Sequence, residues 1–475
     1  MNRELLKLCL VTDRKILGEK DIVQAVEESI EGGVTMVQLR EKDATPEEFY
    51  QIALRVKAIT DRYSIPLIIN DDVLLADKID AAGVHIGQND MEPGEARKIL
   101  GDKKIIGVSV SSMEEIQNTD LSLLDYVGVG PIFPTLSKGD ASEPMGLENL
   151  KKMAESYQIP MIGIGGIEAD NIAEIIHAGI DGAALITGIL ADKNISSAAK
   201  NLREEVDRAL VMREFKKILE NTRENNPLVY NLTNSVTMND CANVTLAVGA
   251  SPLMSFCLEE MEEILSMASS VVINIGTMEP HMREMALEVG KIANRLKKPI
   301  VLDPVGAGAS KVRKKFVEEL LENVKFHVVK GNLAEIKSLL NLDSASHGVD
   351  SLETEDNGAE VGRLFYEKYG TTVAITGKVD YIVHGSKTIA VYNGDEKMRK
   401  ITGTGCMTAS IIGGFLSEGE SFWGASLGII SMGISGEIAL ENSRGLSSFK
   451  IELIDALSNI TLEEIQNRGK FRCEL

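Results

Sequence analysis

Seven polar clusters punctuate residues 1–190, each directly following or ending a short apolar run. They are Gln38-Leu39-Arg40-Glu41-Lys42, Asn70-Asp71-Asp72, Gly87-Gln88-Asn89-Asp90, the single Ser109, the stretch 130–138 with Thr135, Ser137 and Lys138, Gly163-Ile164-Gly165-Gly166, and Ile186-Thr187-Gly188. Their chemistry amounts to two carboxylates able to hold Mg2+ (Asp71, Asp90), three cations able to neutralise a diphosphate (Arg40, Lys42, Lys138) and a glycine nest for a second phosphate. No Ser–His–Asp set, activated cysteine or Schiff-base environment stands out beside them. The combination suits departure of pyrophosphate as a leaving group.

A different chemistry gathers in the second half. Thr402-Gly403-Thr404-Gly405-Cys406-Met407 puts glycines before a helix, where free N–H groups and the helix dipole make an anion hole for a transferring phosphoryl group. Cys406 at such a helix start is expected to have a lowered thiol pKa and could act as a base toward a substrate hydroxyl. Asp303, after an apolar run, and Glu335, opening a helix, are natural ligands for Mg2+ or its waters, and Lys330 can offset triphosphate charge. The chain has no GxxxxGK[ST] loop, which excludes a P-loop kinase.

Taken singly, most of these groups have an ordinary structural reading. Arg40-Glu41-Lys42 could be a solvated turn, Asp71 or Asp90 a helix cap, and Gly165-Gly166 a tight turn. His85, inside an apolar run, reads as a hydrogen-bonded strand residue rather than a base, and Cys406 could equally be a small packing residue. What argues for a site is the joint placement of the seven clusters.

The elements that must position them are legible as alternation. Eight apolar, often β-branched runs (8–11, 36–39, 67–69, 83–86, 105–110, 126–129, 161–164 and 183–186) alternate with helix-like stretches such as 21–31, 46–63 and 171–178. Eight such units predict a (β/α)8 TIM barrel over residues 1–210, with a doubly wound open sheet as the alternative. Barrels of this kind build their sites at the carboxyl ends of the strands, where the clusters fall. A second α/β pattern begins at Leu228–Leu232 and continues through runs at 271–275, 300–302, 327–329, 372–375 and 381–383. The polar, acidic segment 338–358 reads as surface loops. The long apolar stretch Phe422–Leu440 carries Glu437 and many Gly and Ser, so it reads as a buried helix rather than a membrane span.

Between the halves, residues 195–227 read as helix with an apolar stripe that changes phase. Ile195, Ala199, Leu202, Val206 and Ala209/Leu210 follow one face, and Val211, Phe215, Ile218 and Leu219 another. Two amphipathic helices end to end, each facing its own core, would give this pattern, which divides the chain into domains 1–210 and 211–475. A length of 475 residues fits two domains, and a formal charge of −21 argues against nucleic-acid or anionic-membrane surfaces. Five cysteines without a CxxC pair and an N-terminal apolar run too short for a signal peptide point to a cytoplasmic protein.

The first half closely resembles thiamine phosphate synthase, through QLREK (38–42), IIND (68–71), GVHIGQND (83–90), GVS (107–109), VGVGPIFPT (127–135), GIGGI (163–167) and ALITGI (184–189). The resemblance implies condensation of hydroxymethylpyrimidine diphosphate with hydroxyethylthiazole phosphate. It implies that Gln38, Arg40, Lys42, Asn70 and Lys138 hold the pyrimidine diphosphate, Lys138 also serving catalysis. Ser109 contacts the pyrimidine side, Asp71 and Asp90 ligate Mg2+, and Thr135, Ser137, Gly166, Ile186 and Thr187 hold the thiazole phosphate. Ser137 stands where many members carry Thr, and the loop 139–145 has no interpretable pattern. A tautomerase-like or otherwise non-catalytic barrel beside an active kinase is the competing reading.

The second half resembles hydroxyethylthiazole kinase, of the ribokinase-like superfamily, through NLTNSVTMNDCAN (231–243), GASPLMS (249–255), NIGT (274–277), LDPVGAGA (302–309), KGNLAEI (330–336), AITGKVDYI (374–382) and TGTGCM (402–407). The resemblance implies a thiazole pocket lined by Met254 and Gly403, ATP contacts from Lys330 and Thr376, Mg2+ at Asp303 and Glu335, and Cys406 in the place of the superfamily's usual Asp base. It also implies a homotrimer with the thiazole site at a subunit boundary. Lys330 stands where Arg is expected, which removes a bidentate fork but keeps the charge.

Overall fold

A computed structural model describes residues 1–135, 143–342 and 357–475. The chain divides into two compact units, Met1–Leu210 and Val211–Leu475. Their boundary falls within one helix, Ile195–Asn225, so a single element stands where the phase change suggested two. Ile195, Ala199, Leu202, Val206, Ala209 and Leu210 are buried in the first core, and Val211, Met212, Phe215, Ile218 and Leu219 in the second. The stripe can shift without breaking the helix because each half has only its own apolar side to bury.

The first unit is a closed barrel of eight parallel strands: β1 (Leu8–Val11), β2 (Met36–Leu39), β3 (Leu67–Asn70), β4 (Gly83–Ile86), β5 (Ile105–Val110), β6 (Tyr126–Val129), β7 (Met161–Ile164) and β8 (Gly182–Leu185). β1 pairs with both β2 and β8, which closes the ring. Strands covered on both faces need near-continuous apolar runs, and that is what these segments supply. Side-chain caps then turn the chain into the following helices. Thr45 and Glu48 form a capping box with Pro46 in the first turn of helix Pro46–Arg62, Asp72 caps Val73–Lys78, and Ser112 caps Met113–Asn118.

The second unit is built on a nine-stranded sheet. Its strands are β9 (Leu228–Leu232), β10 (Ser251–Leu253), β11 (Ser270–Asn274), β12 (Ile300–Asp303), β13 (Val328–Asn332), β14 (Thr372–Thr376), β15 (Asp380–His384), β16 (Lys387–Val391) and β17 (Phe471–Glu474), in the order 10-9-11-12-13-14-15-16-17. The pairs from β10 to β14 are parallel and those from β14 to β17 antiparallel. Residues 251–253 form the edge strand β10. Pro252 is tolerated there because an edge strand has one unpaired side. Helices Thr404–Leu416 and Ser421–Asn442 pack into this unit, and most of the second is buried, as expected for a core helix. Of the expected surface segment 338–358, residues 343–356 lie outside the described residues.

Candidate active sites

In the barrel unit, the strands' carboxyl ends converge on a cavity of about 690 Å3. Lys42, Gln88, Ser109, Thr135, Gly166, Ile186 and Thr187 are among the residues lining it. The glycine turn after β7 is tightly built. Gly166 has φ +65°, and a Cβ there would fall 2.6 Å from the Pro134 carbonyl oxygen, so only glycine lets the two loops meet. Asn171 secures this turn by donating to the Gly166 carbonyl at 3.0 Å.

A second group lies at the ends of β2, β3 and β4. Gln38 Nε2 donates to Asn70 Oδ1 at 2.6 Å, and Arg40 pairs with Asp13 at 3.3 Å while its backbone N–H donates to Thr12. Asp71 takes a left-handed backbone, φ +68°, with its N–H donating to the His85 carbonyl at 2.8 Å. Burial pushes the Asp71 carboxyl up to about 6, assisted by the charge of Asp90 and a hydrogen bond between the two carboxyls; Lys42 and Arg40 oppose the shift. The Gly87 N–H donates to Asp90 Oδ2 at 2.7 Å and orients that second carboxylate. Gln38 is thus joined to Asn70 and Asp71 to Asp90 at neighbouring strand ends, with Arg40 and Lys42 near enough for their charge to act on Asp71. Ser137 and Lys138 lie outside the described residues, as do residues 139–142 of the uninterpreted loop.

In the second unit, the site lies along the carboxyl edge of the parallel strands, where open α/β sheets bind ligands. Asn234 Nδ2 donates to Asn274 Oδ1 at 2.9 Å and to Cys406 Sγ at 3.3 Å, and Asn274 Nδ2 donates to Asp303 Oδ2 at 2.6 Å. The ammonium of Lys330 stands 4.0 Å from the other Asp303 oxygen, with both side chains almost fully buried. Burial pushes Asp303 up to about 6, Lys330 and Asn274 working against it and Glu335 with it. Glu335 is a capping-box residue: it accepts from the backbone N–H of Asn332 at 2.8 Å and of Gly306 at 2.7 Å.

The glycine turn before helix Thr404–Leu416 faces the same place. Gly403 has φ +89°, and a Cβ on it would lie 2.3 Å from Thr237 Cγ2; a Cβ on Gly405 would lie 3.0 Å from Lys330 Nζ. The lysine therefore stands against the first turn of that helix. The Cys406 thiol corrects the expectation of a lowered pKa. Burial and the nearby Asp303 charge push it up, outweighing hydrogen bonds from Thr237, Asn274 and Asn234. Thr376 Oγ lies 3.4 Å from the Gly331 carbonyl, near the end of β13, and half-buried Met254 follows the edge strand β10.

Two residues of this site escaped the sequence reading. Arg313 donates from one nitrogen to the Ile275 and Val305 carbonyls and from another to Gly276, each at 2.9 Å, and so ties together the loops after β11 and β12. Asp380 opens β15, accepts from the Gly377 N–H at 2.8 Å, and is pushed up to about 6 by burial despite that bond, Lys330 and Arg399. The Asp within Gly377-Lys378-Val379-Asp380 was the signal for the second; nothing local in sequence marks the first.

Two family models match the chain, Thiamine monophosphate synthase over residues 8–189 and the Hydroxyethylthiazole kinase family over residues 219–463. A probable thiamine biosynthetic bifunctional enzyme of Schizosaccharomyces pombe is 33% identical over 91% of this chain and 89% of its own length. The chain belongs to the family of bifunctional thiamine biosynthetic enzymes. The thiamine biosynthetic bifunctional enzyme of Saccharomyces cerevisiae is 32% identical to it, over 95% of this chain and 94% of the relative. A solved hydroxyethylthiazole kinase from Pyrococcus horikoshii OT3 is 40% identical, with a TM-score of 0.51, and is covered over 99% of its length by 55% of this chain. This bifunctional enzyme thus joins a thiamine phosphate synthase, in its barrel, to a hydroxyethylthiazole kinase that uses ATP as co-substrate.

Proposed function

We propose that the two sites run consecutive steps: the kinase unit phosphorylates 4-methyl-5-(2-hydroxyethyl)thiazole, and the barrel joins the product to hydroxymethylpyrimidine diphosphate, releasing pyrophosphate. In the barrel, Gln38, Arg40, Lys42, Asn70 and Lys138 hold the diphosphate, and Ser109 meets the pyrimidine. Thr135, Ser137, Gly166, Ile186 and Thr187 hold the thiazole phosphate. Asp71 and Asp90 hold Mg2+, whose chemistry when bound is to neutralise diphosphate charge. The observation that carries this reading is the contact between those two carboxyls, one of them held near pH 6 by burial and its neighbour. Such a pair is poorly placed alone and well placed around a divalent cation.

In the kinase unit, Lys330 and Thr376 contact ATP, Asp303 and Glu335 serve Mg2+ or its waters, and Gly403 and Met254 border the thiazole. The Gly403–Gly405 turn with Lys330 steadies the transferring phosphoryl group and is the larger contribution; Cys406, whose thiol is pushed up by burial and Asp303, adds a modest one through the small thiolate fraction able to accept the hydroxyl proton. The kinase works as a trimer, a reading supported by exposed apolar residues near Met254 and the active-site loop, Phe256 at 42% and Val236 at 65%; light scattering that finds a fully active monomer would sink it. We place the enzyme in the cytoplasm. The units carry their activities separately, residues 1–210 the synthase and 211–475 the kinase, because their cores share no residue. Purified enzyme given hydroxyethylthiazole, ATP, Mg2+ and the pyrimidine diphosphate should form thiamine phosphate; accumulation of thiazole phosphate alone would favour a kinase with an inert barrel.

A further inference from the structure

Neither proposed reaction uses His85 or Tyr126, yet they form a buried hydrogen-bonded line that ends at Ser109. We propose that these two are positioning residues of the synthase, holding the Ser109 hydroxyl with its proton directed into the cavity as a hydrogen-bond donor to the pyrimidine diphosphate. The inference rests on the reading above that Ser109 faces that substrate.

The proton inventory of the line decides its direction. Tyr126, at the start of β6, is fully buried, and its hydroxyl lies 2.9 Å from His85 Nδ1, its sole hydrogen-bond partner among the described residues. A buried O–H facing one ring nitrogen is satisfied only by donating to it; were Nδ1 the donor, the phenol proton would have no acceptor. Nδ1 is therefore the acceptor, and the neutral ring carries its proton on Nε2. That N–H meets Ser109 Oγ at 2.8 Å and donates to it. With its oxygen receiving from histidine, the serine cannot give its own proton back to the ring. The remaining direction is the cavity, which Ser109 lines.

The neighbouring strands are shaped around this line. A Cβ on Gly107 of β5 would fall 2.2 Å from the Tyr126 ring, and one on Gly128 of β6 would fall 2.8 Å from His85 Cε1. Two strand positions that could carry apolar side chains are glycine, and the room they leave is filled by the phenol and the imidazole. The Ser109 backbone is pinned as well, its carbonyl accepting from Gln88 Nε2 at 2.7 Å. An unsupported serine would rotate its proton among several acceptors; this one has a single orientation before substrate arrives.

The test is a double-mutant cycle in the full-length enzyme, read as synthase kcat/KM for the pyrimidine diphosphate and KM for the thiazole phosphate. Ser109→Ala should lower kcat/KM about tenfold or more, and Tyr126→Phe somewhat less, with KM for the thiazole phosphate within about twofold. Combined, they should be no worse than Ser109→Ala alone within about twofold, because the phenol acts through the serine. An unchanged Tyr126→Phe enzyme, or an equal loss in both backgrounds, overturns the relay while leaving Ser109 at the substrate. An unchanged Ser109→Ala enzyme overturns both. Should Tyr126→Phe fail to fold, His85→Gln, whose amide can still donate to Ser109, should retain about tenfold more activity than His85→Leu, and equal losses refute the proposal.

Discussion

Asp71 in the barrel and Asp303 in the kinase unit are pushed to the same range, about 6, by different surroundings. Burial is the larger cause for both. For Asp71 the neighbouring carboxyl of Asp90 adds to it, and the cations Lys42 and Arg40 only soften the result. For Asp303 the nearest partners, Lys330 and the Asn274 amide, favour the charged form, while the Glu335 charge sides with burial, which prevails. The barrel therefore brings negative charge together and leaves it to be met by something bound. The kinase unit has already arranged partial compensation through Asn234, Asn274 and Lys330. One chain thus holds a carboxyl pair that suits a bound cation and, in its other unit, a carboxyl already met in part by its own neighbours.

The difference can be broken most severely at Gly403. Gly403→Val puts a side chain where Thr237 stands 2.3 Å from a Cβ, at φ +89°, and should reduce kinase kcat about 10³-fold while synthase turnover with supplied thiazole phosphate is unchanged. Next in size is Asp71→Asn, expected to lower synthase kcat/KM by about 10²-fold or more with kinase turnover intact. Asparagine is the substitution to use, since Asp71 sits at φ +68° and alanine would add backbone strain to the loss of charge. Measuring both activities on each variant checks these expectations.

The pH dependence sharpens the same contrast. With a raised pKa, the Asp71 carboxylate is ionised above about pH 6 and takes up a proton as pH falls through 6, so apparent Mg2+ affinity of the synthase should weaken up to about tenfold per unit below that. Asp90→Asn removes the like charge and should move this acid limb to lower pH. Lys330→Met should move the corresponding limb of the kinase to higher pH, because it removes the cation that favours ionised Asp303. Shifts in the same direction would erase the distinction. The smallest effect belongs to Cys406→Ala: a thiol held protonated by burial and Asp303 supplies little base strength, and kcat should stay within about tenfold of wild type.

What could be read in sequence follows the same physics. All eight barrel strands coincide with apolar runs to within a residue or so at each end, because strands buried on both faces leave a continuous signal. Ser251–Leu253, Lys387–Val391 and Phe471–Glu474 carry no continuous apolar run that marks them as strands. Each is short and mixes polar residues or proline into a sheet edge or an antiparallel ladder, where half the side chains face outward. Gln38 and Asn70, at the ends of neighbouring strands, could be named from motifs, but the Asn234–Asn274–Asp303 chain joins the loop after β9 to the ends of β11 and β12, segments far apart in sequence that only the fold aligns. The thiol of Cys406 departs from the helix-start expectation for a related reason. A helix start favours the thiolate, but burial and the charge of a residue a hundred positions away decide the outcome.

The most direct measurement is complementation between two full-length variants, Gly403→Val and Asp71→Asn, supplied with hydroxyethylthiazole, ATP, Mg2+ and the pyrimidine diphosphate. Each alone should fail to make thiamine phosphate, Asp71→Asn accumulating thiazole phosphate and Gly403→Val making none. Mixed, they should restore it, because each contributes the step the other lacks. Loss of both activities in either variant, or no product from the mixture, would contradict two separate sites acting in sequence.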